Sequence, residues 1–101
     1  MKATRVFYDK AVLPGGEIVG MTIWRLPEPS PERPHGLKYS LFYGFDGERI
    51  VGYDNERGKG DHKHVGSSET PYKFVSVEKL VADFLADIER ERERATNDRN
   101  T

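Results

Sequence analysis

The sequence predicts an α+β domain in which antiparallel β-hairpins precede one C-terminal amphipathic helix. Two stretches rich in β-branched and aromatic residues flank Gly15-Gly16, and two more flank Asp46-Gly47. After Ser76, apolar residues recur at the 3.6-residue period of a helix. A chain of 101 residues has room for one hydrophobic core. Residues 1–94 are assigned to that single domain and the polar residues 95–101 to a disordered tail.

Residues 5–13 and 17–25 form the first expected hairpin, closed by Gly15-Gly16 as a two-residue turn. In that register Tyr8 faces Ile23, Lys10 faces Met21 and Val12 faces Val19, while Phe7 lies opposite Trp24 on the other face. Residues 26–34 carry four prolines and make a stiff connector. Residues 37–45 and 48–55 form a second hairpin around Asp46-Gly47, whose residues tolerate positive φ. There Tyr43 pairs with Ile50, Leu41 with Gly52 and Phe42 with Val51, and Gly52 leaves space beside Leu41.

Residues 56–70 read as a polar, glycine-bearing loop, and residues 72–75 as a short further strand, for a sheet of about four or five strands. Ser76 caps the helix, which presents Val77, Leu80, Val81, Phe84, Leu85 and Ile88 on one face. Leu80, Phe84 and Leu85 are expected to be buried. Past Ile88 the alternating Glu/Arg run sets opposite charges three apart but like charges four apart, so the helix is expected to fray. With one helix for two apolar sheet faces, an exposed patch is expected, suited to a partner or a second copy of the chain.

Composition narrows the function. The chain has no Cys, which removes disulfides, thiolate metal sites and a cysteine nucleophile. Its N-terminus, MKATRVFYDK, lacks the apolar run of a signal peptide, and no window approaches the roughly 18 apolar residues of a membrane span. A cytoplasmic location without membrane contact is expected. The net charge of −1 gives no general cationic field, so any nucleic-acid contact must be local. The most cationic segment is residues 57–64, where Arg57, Lys59 and Lys63 stand against Asp61.

That segment also gathers the chemistry. Tyr53, Asp54, Arg57, Lys59, Asp61, His62, Lys63 and His64 bring imidazoles, cations and carboxylates together. If residues 61–64 are extended, His62 and His64 share a face, roughly 7 Å apart along the backbone, and Lys63 points away. Metal-independent RNA cleavage needs a base for the ribose 2′-hydroxyl, an acid for the leaving 5′-oxygen and cations for the phosphate. Two histidines with neighbouring Lys and Arg meet those needs without a cofactor. Two other readings stay open. His-x-His beside Asp54 or Asp61 can hold a divalent metal, and solvated loop histidines fit the composition equally.

The string Tyr53-Asp54-Asn55-Glu56-Arg57-Gly58-Lys59-Gly60-Asp61-His62-Lys63-His64 resembles the TumE family of bacterial toxin–antitoxin proteins. Residues 37–43, Pro71-Tyr72 and Phe74 extend the likeness into the helix, while the first hairpin matches in pattern only. The resemblance implies the toxin of a type II system, a cognate helix-turn-helix antitoxin, and an endoribonuclease acting on RNA. It carries catalytic roles onto Asp54, Lys59, Asp61, His62 and His64, with Arg57 and Lys63 as supporting cations; Tyr53 is added as a substrate contact. The alternatives are a non-catalytic binding or regulatory subunit and a metal-dependent nuclease.

Overall fold

In the computed structural model, residues 2–56, 58 and 60–99 are described, with side chains through Thr96. Six strands form one antiparallel meander in chain order: β1 (Thr4–Val12), β2 (Ile18–Arg25), β3 (Leu37–Phe45), β4 (Glu48–Asp54), β5 (His62–Val65) and β6 (Ser68–Pro71). The helix α1 (Val77–Arg99) lies across one face. Period-2 alternation supplies that face with Met21 and Ile23 from β2, Tyr39, Leu41 and Tyr43 from β3, and Val51 and Tyr53 from β4. Leu80, Phe84 and Ile88 close the core from the helix.

The α+β arrangement of hairpins and C-terminal helix is as the sequence predicts, with more strands. The further strand is not at 72–75. Gly66 takes a left-handed φ of 60° and lets the chain turn back immediately after β5, so β6 occupies residues 68–71. Pro71, which has no N–H to donate, ends this edge strand. Tyr72 and Phe74 pack against the core from irregular backbone.

Both expected registers shift by one residue. In the first hairpin the connection spans residues 13–17, closed by Leu13 N–H to Glu17 O at 2.8 Å, so Val12 pairs with Ile18. Phe7 consequently faces Ile23 rather than Trp24, and Lys10 faces Gly20 rather than Met21. In the second hairpin Asp46 (φ 51°) and Gly47 (φ 79°) make the expected tight turn, and Phe45 pairs with Glu48. Ile50 then bulges out of register, so Tyr43 meets Val51, Phe42 meets Gly52 and Leu41 meets Tyr53. Gly52 therefore leaves no room for a helix residue. It lies on the face away from α1, and a Cβ there would come within 2.5 Å of the Arg49 side chain.

The helix starts at the expected cap, where Lys79 N–H donates to Ser76 Oγ at 3.1 Å. Leu85 is 45% exposed, against the expectation, because it lies one step around the helix from Phe84; buried Asp87 shares the inward side. The helix also continues past Ile88 to Arg99, with Glu91–Arg94 paired at the three-residue spacing. The proposed tail at 95–101 lies partly on residues 100 and 101, outside the described residues.

Polar contacts pin the helix. Tyr53 OH donates to Asp87, which also receives Arg90 and the Lys63 ammonium at 3.3 Å. Burial pushes the Asp87 carboxyl up, but the Tyr53, Arg90 and Lys63 contacts outweigh it and hold the group below its ordinary value. Tyr72 OH donates to Asp83 at 2.6 Å, chiefly lowering that carboxyl as well.

Two outcomes follow. Phe84→Ala should cost about 3–5 kcal/mol in denaturant unfolding, and Leu85→Ala under about 1 kcal/mol. Because the Asp87 pKa is depressed on folding, its contribution is present above the unfolded carboxylate value of about 3.9 and is lost as pH falls through the lower folded value. Asp87→Asn should therefore lose less stability than the native chain on acidification from about pH 5 to about pH 2, measured by denaturation midpoint.

Candidate active site

The stretch 56–70, expected to be a loop, instead contains β5 and most of β6, which meets the condition for His62 and His64 to share a face; β5 pairs with β4 so that His62 stands opposite Asp54 and His64 opposite Gly52. Alternation then places Asp54, His62 and His64 on the open face of the sheet, away from α1. His62 Nε2 lies 2.9 Å from Asp54 Oδ1, and the two imidazole rings meet edge to face at 5.0 Å between centroids. His62 Nδ1 lies 3.0 Å from Gly60 O. His62 is 5% exposed, enclosed on both ring nitrogens, whereas Asp54 and His64 are partly exposed.

Burial, followed by the nearby Arg49 charge, lowers the His64 pKa, so its ring favours the neutral form. Glu69 on β6 pairs across the strand with His64, its carboxylate 3.6 Å from Nδ1.

The other sequence candidates separate from this cluster. Tyr53 is fully buried on the helix side, with its hydroxyl on Asp87. Lys63 also faces that side, 5.6 Å over the Tyr53 ring. Asp61 accepts from Tyr39 OH at 2.8 Å and faces His35 Nε2 at 2.9 Å. Because His35 Nδ1 accepts the Leu37 N–H at 3.1 Å, the ring donates from Nε2, a neutral tautomer that anchors Asp61. Arg57 and Lys59 lie outside the described residues.

Sequence reasoning missed other residues on the open face. Lys38 lies opposite Trp24 with its ammonium 5.5 Å from the ring, and the Arg5 guanidinium sits 4.7 Å over Tyr8. Lys10 opposite Gly20 and Arg49 opposite Gly44 add cations to this face. The signal was present in strand alternation, but it is readable only once the registers are known.

A family model described as Toxin TumE matches residues 2–92. No curated protein and no solved structure matches the chain. Among the described residues, no helix is long and apolar enough to cross a membrane.

The division of the two faces has a direct test. Asp61→Asn should lower stability by about 1–3 kcal/mol through the His35 and Tyr39 contacts, while the ring resonances of His62 and His64 stay in place by NMR.

Proposed function

The chain belongs to the TumE toxin family, and from that membership we propose that it is the RNA-cleaving toxin of a type II toxin–antitoxin pair. As a member of a toxin family it has an antitoxin as partner. The observation that carries the nuclease reading is the coincidence, on one open sheet face, of the Asp54–His62–His64 cluster with aromatic rings and cations.

A sheet presenting Trp24 and Tyr8 beside Lys38, Arg5 and Lys10 suits unpaired RNA, whose bases stack on rings while its phosphates meet cations. The strand would run toward β5, where Asp54, His62 and His64 supply the reacting centre. There the 2′-hydroxyl loses its proton and attacks phosphorus, the bond to the 5′-oxygen breaks, and that oxygen takes up a proton. Arg49 beside His64 is placed to offset charge gathering on the phosphate. Arg57 and Lys59 precede this strand in sequence and are proposed as further phosphate contacts.

The antitoxin, proposed to carry a helix-turn-helix domain, has a natural docking edge in β1. That strand is exposed along its whole length, with Val6, Tyr8 and Val12 prominent, and among the described residues its outer backbone edge has no neighbouring strand.

The purified chain should cleave single-stranded RNA, and His64→Ala should lower the rate at least about 100-fold while the circular dichroism spectrum is kept. Trp24→Ala should weaken RNA binding by about 5- to 150-fold, as loss of one stacked base predicts. Lys38→Ala should reduce the slope of log affinity against log salt by about 0.7. A folded native chain that cleaves no RNA would refute this function.

A further inference from the structure

We propose that Asp54, His62 and His64 bind one divalent transition-metal ion of the zinc class, leaving coordination positions open for water or a ligand oxygen. One potential ligand atom from each residue lies within 4.8 Å of the others. Donors about 2.0–2.2 Å from a shared ion stand roughly 3–3.5 Å apart, so only small movements are needed. The 2.9 Å separation of His62 Nε2 and Asp54 Oδ1 is already at that scale. All three side chains rise from paired strands, which hold them more rigidly than a loop would.

The hydrogen bonding of His62 supplies an independent argument. The Gly60 carbonyl can only accept, so Nδ1, 3.0 Å away, carries the hydrogen and donates it. In the neutral ring, Nε2 then directs a lone pair at the Asp54 carboxylate, which is itself an acceptor. Two acceptors at this distance need a cation between them. A proton could serve one pair, but the third donor, His64, converges on the same place and gives a metal three ligands. A metal-bound histidine characteristically donates its other ring nitrogen to a backbone carbonyl or carboxylate. Gly60 O fills that position for His62, and Glu69 stands on the Nδ1 side of His64.

The donor set selects the class of ion. Two imidazoles and one carboxylate favour zinc and its transition-metal neighbours over magnesium or calcium, which prefer oxygen donors. Three protein ligands with an open position match catalytic zinc sites, whereas structural sites are closed by four. The two rings offered by the sequence as acid and base become ligands. The site itself does not rest on RNA cleavage; only the identity of the ligand oxygen, a phosphate of RNA, rests on that reading.

Full-length protein stripped by chelator and dialysed should be titrated with zinc chloride by calorimetry, with histidine ring resonances followed by NMR. One ion per chain should bind at micromolar Kd or tighter, shifting the rings of His62 and His64 but not His35. His64→Ala and Asp54→Ala should each weaken binding at least 100-fold while retaining the native circular dichroism spectrum, and His35→Ala should leave it unchanged. The more exposed ligands are chosen because replacing buried His62 risks unfolding. Absence of saturable binding, or undiminished binding by folded His64→Ala, overturns the site. Zinc uptake at these residues without RNA cleavage supports the site and refutes the nuclease reading. Chelator-resistant RNA cleavage by a chain that takes up no zinc overturns the site and leaves the nuclease reading standing.

Discussion

The extra residue in β4 governs which side chains the sheet can bring together. Side chains alternate faces along a strand, so an uncompensated one-residue offset would exchange the inward and outward sets. With Ile50 bulged, Tyr43 pairs with Val51 and Leu41 with Tyr53, sending Tyr53 into the core and Asp54 to the open face. β5 inherits that choice through its pairing with β4, which sets His62 beside Asp54 and Lys63 beside Tyr53. The bulge is itself held from the next hairpin, since Ile50 O accepts the Gly66 N–H at 2.9 Å. Helix packing and the candidate site therefore depend on the same local irregularity.

The aromatic core explains where many of the carboxylates go. Tyrosine supplies the area a small domain needs, but each buried ring brings a hydroxyl that must be satisfied. Tyr39 is met by Asp61, Tyr53 by Asp87 and Tyr72 by Asp83. Burial first, and the adjoining carboxylate second, raises the pKa of each phenol and keeps it a neutral donor. Asp61, which sequence proximity grouped with the histidines, is thus committed to the tyrosine side of the sheet. Asp54 lies beside His62 and belongs to the other side.

Local signals made much of the fold legible. Ser76, the spacing of Leu80, Phe84 and Ile88, and Asp46-Gly47 each act within a few residues of themselves, and the structure uses all of them. The registers were not legible, because the 13–17 connection and the Ile50 bulge depend on how neighbouring strands close against one another. The same difference divides the site. His62 and His64 share a face by alternation within one strand, whereas the association of Trp24 and Lys38 with that face requires the pairing of β2 with β3. Tyr53 and Lys63 were close in sequence to the cluster, yet odd steps along their strands turn them toward the helix.

The segment entering β5 is fastened at both ends. Asn55, itself buried, joins the start of β3 by accepting Tyr39 N–H at 3.0 Å and donating to Leu37 O at 2.8 Å, and Arg33 Nε donates to its carbonyl at 3.1 Å. Asp61 is tied to Tyr39 and His35, and its carbonyl accepts Tyr72 N–H at 3.0 Å. Between these anchors, an added or deleted residue changes closure entropy only slowly with length. The fold can therefore tolerate different lengths and charges in residues 56–59, ahead of the Gly60 carbonyl that meets His62, without disturbing the paired strands on either side. This separates two tasks: the paired strands hold Asp54, His62 and His64 together, while the segment between the anchors can alter the surface beside them.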